Sequence, residues 1–169
     1  MKKIKTNNYF SELNELEILD IMNNFGCGKF LGVFGCDELV NITKQGYLIV
    51  NTDPSYQAGT HWISIAIKKN SVYYYDPLNM NFWFSDANIS NFLMKLGRDL
   101  YINNVSIQTL NSPYCGQHCV VFCYLMMIRN TSFRQFLNIF SPHNIDQREK
   151  LSLELFKNIK QKAIRQTWK

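Results

Sequence analysis

Three cysteines stand four residues apart in the apolar stretch NSPYCGQHCVVFCYLMM. Cys115, Cys119 and Cys123 could belong to a redox motif, a metal site, a buried helix, or a helix with one reactive thiol. A thioredoxin-type site has the spacing Cys-x-x-Cys, and the spacing here is one residue longer. A structural zinc site needs ligands from a second segment, and the other two cysteines stand isolated among glycines. We therefore predict that Cys119 and Cys123 are small apolar residues of a buried helix.

Cys115 differs from the other two because it follows Asn-Ser-Pro, which favours a turn and a helix start. Unpaired N–H groups and the helix dipole at such a start favour the thiolate, which is the nucleophilic form. Gly116 would let a substrate carbonyl approach the backbone, and donors at the helix tip could stabilise an oxyanion. Gln108, seven residues upstream at the end of a predicted strand over 103–110, could supply a second donor.

A histidine and an aspartate sit at matching ends of two β-rich segments, HWISIAI and SVYYYDP. A hairpin turn centred between Lys69 and Asn70 pairs Asp76 with Ile63. His61 shares a face with Ile63 because strand side chains alternate, so His61 and Asp76 become diagonal neighbours. A carboxylate beside one ring nitrogen orients the imidazole and leaves the other nitrogen free to accept a proton. A purely structural role for this pair is equally compatible with the hairpin alone.

Composition and charge narrow the class of protein. The 169 residues are 46% hydrophobic and 18% charged, which indicates a globular chain, and we predict one domain over 1–169. No apolar run has the length of a membrane span, and the basic N-terminus lacks the apolar segment of a secretory signal. We expect an intracellular protein with free thiols and no membrane partner. The net charge is +5, and the basic residues are concentrated at both ends of the chain. This distribution is compatible with an ordinary solvated surface or with weak attraction to nucleic acid.

Mixed hydrophobic periodicities predict an α+β fold. A central mixed β-sheet with the His–Asp hairpin should pack against a central helix that carries the cysteine at its N-terminus, with further helices at its flanks. The predicted helices are 11–24 with Ser11 as N-cap, 85–96, 115–129, a short one after Thr131 or Ser132, and 146–166. The predicted strands are 47–51, 61–67, 71–76 and 103–110.

The order His61, Asp76, Gln108, Cys115, with Trp62 directly after the histidine, resembles the adenovirus protease (adenain) family. The SUMO and ubiquitin-like-modifier proteases are its cellular relatives. The stretches GTHW, YYYDPLN and QTLNSPYCGQHCVVFC carry the resemblance, and FGCGKFLGVFGCDE looks like the opening segment of the viral branch. The resemblance extends over about residues 20–130.

The resemblance implies a role for each matching residue. Cys115 would be the nucleophile, His61 the base that forms its thiolate and the acid for the leaving amine, and Asp76 the orienting carboxylate. Gln108 and the backbone N–H of Cys115 would form the oxyanion hole.

Three more residues would bind substrate. Trp62 would pack beside the imidazole, Gly59 would contact an extended substrate, and Gly116 would leave space for the scissile carbonyl. His118 and His143 are predicted to be non-catalytic, and no metal or cofactor is expected.

Two departures from the family pattern stand out. Asp76 stands where the viral proteases have glutamate, but either carboxylate can orient an imidazole. The segment LGRDLYINNVSIQ lacks the cysteine that tethers an activating peptide in the viral proteases. A disulfide-linked activator is therefore not expected, whereas a non-covalent peptide or DNA remains open.

The resemblance implies a viral cysteine endopeptidase that cleaves capsid and core precursors at glycine-containing sites during virion maturation. Its source would be a virophage or an adenovirus-like DNA virus. A monomer would act in the virion and at the intracellular assembly site, with viral DNA as a second partner. One alternative is a deconjugating protease for a ubiquitin-like modifier, and another is a non-catalytic protein that binds capsid or DNA.

Overall fold

The computed structural model describes residues 11–26, 28–82 and 85–166. In this part of the chain, five strands form one sheet in the order of the sequence. The outer pairs of strands are parallel and the two inner pairings are antiparallel, so the sheet is mixed. The strands are β1 (Phe30–Gly35), β2 (Gly46–Asn51), β3 (Trp62–Ile67), β4 (Ser71–Tyr75) and β5 (Asp99–Ile102). The α-helices are α1 (Glu15–Asn23), α2 (Ala87–Lys95), α3 (Cys115–Met127), α4 (Phe133–Phe140) and α5 (Ile145–Gln166).

Helices cover both faces of the sheet. The central helix α3 is buried at every position except Leu125 and packs against β2, β3, α1, α4 and α5. On the opposite face, α2 and the short 3-10 helix Cys36–Glu38 cover a second core, which includes Ile63 and Tyr74. None of the described helices combines the length and the apolar character that a membrane crossing needs. The predicted α+β fold, with a mixed sheet and a central cysteine helix, is confirmed.

The β3–β4 hairpin has the predicted register. Ser64 pairs with Tyr75 and Ile67 pairs with Val72, so continuing the same register places Asp76 opposite Ile63. The helix α3 also begins at Cys115, as predicted. These two elements place the histidine, the aspartate and the cysteine.

The predicted strand over 103–110 is wrong, and Gln108 lies in a loop. The strand β5 ends at Ile102, and Asn103 then turns its side chain back to both backbone groups of Asp76, each at 2.8 Å. The N–H groups of Ile107 and Gln108 both donate to the carbonyl of Pro77, which is not a ladder pattern. The alternation of apolar and polar residues here reflects loop packing, with Ile107 fully buried.

The first helix also starts later than predicted. Its N-cap is Asn14 and not Ser11, because Asn14 and Glu17 form a reciprocal capping box with two hydrogen bonds of 3.0 Å. The GCG segment that should stop this helix includes Cys27, which lies outside the described residues.

Candidate active site

His61 and Asp76 form a buried contact at the end of the β3–β4 hairpin. The Nε2 atom of His61 lies 2.7 Å from Oδ1 of Asp76. The same carboxylate accepts the backbone N–H groups of Leu78 and Met80, at 2.9 and 3.0 Å. Together with the two bonds from Asn103 to its backbone, these contacts fix the position of the aspartate. The carboxylate can therefore hold the imidazole in one orientation.

The thiol of Cys115 interacts with the same imidazole. Burial alone would lower the pKa of His61, but its hydrogen bonds with Asp76 and Cys115, and the charges of both, raise that pKa to about 9. Because Asp76 holds Nε2, the Nδ1 atom is the nitrogen left for the thiol. No side chain of the described residues caps the start of α3, so the first N–H groups of the helix are available to an anion. The arrangement can support a thiolate–imidazolium pair.

The raised pKa of His61 predicts a pH dependence of folding. We expect its contribution to the free energy of unfolding to be complete below pH 6.5 and lost as the pH passes about 9. The sign follows because the native state binds this proton more tightly than the unfolded chain does. The loss is on the order of 3 kcal/mol. Urea unfolding of wild type and His61→Ala between these pH values measures it. An equal fall in the free energy of unfolding of both proteins would show that groups other than His61 are responsible.

Gln108 lies buried in the loop of residues 103–114, which connects β5 to α3. Its Nε2 donates to the carbonyl of Ser112 at 2.5 Å, which uses one of the two amide hydrogens. Its Oε1 is buried and has no hydrogen-bond partner among the described residues. The amide thus keeps one hydrogen for a further acceptor, and its role as an oxyanion donor stays a prediction.

The three predicted substrate-binding residues lie close to one another or to a common cleft. A Cβ at Gly59, where φ is +75°, would lie 2.1 Å from Nδ2 of Asn51, so only glycine fits there. A Cβ at Gly116 would lie 3.2 Å from Cβ of Leu13 and 3.4 Å from Cδ1 of Trp62. The small residue at Gly116 therefore serves the packing of α3, and its contact with a substrate stays a prediction.

A cleft of about 530 Å³ opens beside Trp62 and Gly59. Its lining is acidic, although the chain as a whole has a net charge of +5. No lysine or arginine of the described residues lines it. Besides Leu13, Phe34 and Asn51, the lining includes four carboxylates, those of Glu12, Glu15, Glu38 and Asp53.

The other two cysteines of α3 are core residues, as predicted. Cys119 and Cys123 are both fully buried, and the thiol of Cys119 donates to the carbonyl of Trp62 at 3.3 Å. Burial raises the pKa of Cys119 and raises that of Cys123 to about 12. Neither thiol is prepared for nucleophilic chemistry. Within the described ranges, no three His, Cys, Asp or Glu side chains cluster as metal ligands would.

Several residues that support the site belong to no recognisable sequence motif. Asn103 holds Asp76, Asn51 backs Gly59, and Glu149 of α5 contacts the 103–114 loop. His118, predicted to be non-catalytic, is fully buried and its Nδ1 lies 2.8 Å from Oγ of Ser152. Of these residues, Asn51 is the one that the sequence could have indicated, because it is a polar residue at the end of an apolar strand.

Known proteins resemble this chain in both sequence and fold. The sequence model of the family described as adenovirus endoprotease matches residues 30–166. The chain belongs to this family. Among similar proteins, the protease of bovine adenovirus 7 is 30% identical over 138 residues, which cover 68% of this chain and 64% of that protein. The protease of ovine adenovirus D serotype 7 (isolate OAV287) is 27% identical over 130 residues, covering 68% and 65%. The chain thus spans less than two thirds of the length of these two proteases.

Solved structures support the same fold at much lower identity. The central domain of the uncharacterized Lpg1148 protein from Legionella pneumophila has a TM-score of 0.54 and 12% identity, covering 94% of this chain and 99% of that one. A de-sumoylating protease has a TM-score of 0.50 and 16% identity, covering 92% and 78%. The resemblance to the adenovirus protease family that GTHW and QTLNSPYCGQHCVVFC suggested is confirmed.

Proposed function

We propose that this member of the adenovirus endoprotease family is a viral cysteine endopeptidase. It would cleave capsid and core precursor proteins at glycine-containing sites during virion maturation. The observation that carries the proposal is the buried contact of 2.7 Å between His61 and Asp76, with Cys115 facing the imidazole. Family membership agrees with it.

The proposed reaction has two stages. In the first, His61 takes the proton of Cys115, and the thiolate attacks the scissile carbonyl carbon to form a tetrahedral intermediate. The new oxyanion would accept the N–H of Cys115 and the free amide hydrogen of Gln108. The intermediate collapses as His61 protonates the leaving amine, which leaves a thioester. In the second stage, His61 deprotonates a water molecule that hydrolyses the thioester and restores the thiol.

Two assays test this proposal. The purified chain is incubated with the capsid precursor of its own virus and, separately, with fusions of a ubiquitin-like modifier. Cleavage of the precursor at glycine-containing sites supports the proposal. Cleavage of the fusions alone would identify a deconjugating protease. The third possible outcome is that neither substrate is cleaved and that iodoacetamide alkylates all accessible thiols at the same rate. This outcome would favour a non-catalytic protein that binds capsid or DNA.

The acidic cleft predicts a preference among substrates. Peptides that place a lysine in the cleft should show a kcat/KM about two- to fivefold higher than matched peptides with glutamate, because the described residues that line the cleft include four carboxylates and no lysine or arginine. The difference should shrink as salt rises from about 0.05 to 0.5 M. Combining Glu12→Gln with Glu15→Gln should reduce it as well. Equal kcat/KM values for both peptides at low salt would show that the acidic lining of the cleft does not affect the choice of substrate.

The proposal includes activation without a disulfide. A non-covalent peptide could add a strand to the outer edge of β5, where Leu100, Tyr101 and Ile102 are exposed. DNA is the second candidate activator, attracted by the basic ends of the chain. We further propose that the protein acts as a monomer in the virion and at the intracellular assembly site.

A further inference from the structure

The helix α5 contributes a charged residue directly behind the loop that carries Gln108. Oε2 of Glu149 accepts the hydroxyl of Thr109 at 2.9 Å, and Oε1 accepts the N–H of the same residue at 3.3 Å. Thr109 is the next residue after Gln108. The carboxylate therefore holds the backbone immediately beside the predicted oxyanion donor.

The same carboxylate also contacts the segment around Cys115. It interacts with Ser112, whose own carbonyl accepts the Gln108 amide. It also lies 3.7 Å from Nε2 of His118, one helical turn beyond Cys115. Glu149 thus contacts the residue after Gln108 and a residue one helical turn beyond Cys115, and it joins the loop to the helix.

Glu149 is charged over the whole range in which the protein would work. Burial alone would raise its pKa, but the contacts with His118, Ser112 and Thr109 lower it to about 2. Burial lowers the pKa of His118, so the imidazole stays neutral and Ser152 holds its other nitrogen. A charged acceptor makes stronger hydrogen bonds than a neutral one, so the carboxylate of Glu149 can hold the 103–114 loop firmly against α5.

The preceding residue strengthens this anchor. Nη1 of Arg148 donates to the carbonyl of Ser106 at 3.1 Å, two residues before Gln108, and its Nε donates to the carbonyl of Phe140 at 3.2 Å. The carbonyl of Pro77 also accepts the N–H groups of Ile107 and Gln108, at 2.8 and 3.0 Å. The loop is consequently held between α5 and the segment that follows Asp76.

We propose that Glu149 is a positioning residue, which sets the Gln108 amide at the correct distance from the thiol of Cys115. The inference rests on the proposed endopeptidase activity. The oxyanion donor contributes only in the transition state, where a displacement of about 1 Å can cost about a hundredfold in rate. Loss of Glu149 should therefore lower kcat and leave KM nearly unchanged.

Three single variants test the inference on a peptide that the wild type cleaves. Glu149→Ala should lower kcat about 10- to 100-fold with KM within about twofold. Glu149→Gln should recover part of that loss, because the amide oxygen can still accept from Thr109. Glu154→Ala is the matched control, since it removes an exposed carboxylate from the same helix, and it should keep the wild-type kcat.

Two further measurements separate positioning from general damage. Iodoacetamide should alkylate Cys115 at the same rate in Glu149→Ala as in wild type, because alkylation needs the thiolate and not the oxyanion hole. In a Gln108→Ala background, Glu149→Ala should have almost no additional effect on kcat.

The outcomes are distinct. A wild type that cleaves no peptide or precursor refutes the proposed function itself. With an active wild type, an unchanged kcat in Glu149→Ala refutes the positioning role, even if the melting temperature falls. Slower alkylation of Cys115, or full additivity with Gln108→Ala, refutes it too, because Glu149 would then act on the nucleophile or on folding.

Discussion

Replacing Cys115 with alanine is expected to abolish cleavage while the chain stays folded. The thiol interacts with His61 and is the proposed nucleophile, so its removal should lower kcat by at least about 10⁴-fold. Its side chain is small, and alanine is compatible with the first turn of α3, so the melting temperature should change little. Turnover of a peptide substrate and thermal unfolding by circular dichroism measure the two effects.

A second cysteine of the same helix provides the control. Cys123→Ala removes a fully buried thiol from the core, which should cost on the order of 1 kcal/mol of stability and leave kcat within about twofold. If Cys115→Ala cleaves as fast as Cys123→Ala, Cys115 is not the nucleophile. The matched pair therefore separates a chemical role from a packing role on one element.

Replacing Asp76 with asparagine is expected to cause the second-largest loss, on the order of 10³-fold in kcat. The amide can donate a hydrogen to Nε2 of His61, which would place the ring proton on Nδ1, towards the thiol. His61 could then no longer accept the proton of Cys115. The exposed Asp99→Asn substitution on β5 is the matched control and should leave kcat unchanged.

Asp76→Ala should combine this loss with a loss of stability. The carboxylate accepts the N–H groups of Leu78 and Met80, and their loss of an acceptor costs about 1–3 kcal/mol. Asparagine keeps one acceptor oxygen, so Asp76→Asn should unfold at a higher temperature than Asp76→Ala while both cleave slowly. An Asp76→Asn enzyme with a wild-type kcat would show that the His–Asp contact is structural.

The sequence predicted those parts of the site that depend on local patterns. The hairpin register follows from alternation and a short turn, and it brings His61 to Asp76. The start of α3 follows from Asn-Ser-Pro before an apolar run, which places Cys115 at the helix tip. Both predictions concern neighbours along one element or one hairpin, where periodicity constrains geometry.

The features that were predicted wrongly or missed depend on contacts between segments that are distant in the sequence. Apolar and polar residues alternate around Ile107 as they do in a strand, but Asn103 and the carbonyl of Pro77 hold this segment as a loop. Glu149 looks like any surface residue of an amphipathic helix until α5 packs beside the 103–114 loop. No local pattern encodes a side chain that acts on a segment forty residues away.

The packing of α3 has a consequence for the protein during its synthesis. Cys115 leaves the ribosome before α5, and α5 is the helix with the most extensive packing against α3. A nascent chain that ends before α5 would expose the apolar side of α3 and leave the 103–114 loop without its anchors at Arg148 and Glu149. We expect such a chain to be inactive, so that proteolysis cannot begin before α5 has left the ribosome and packed against α3.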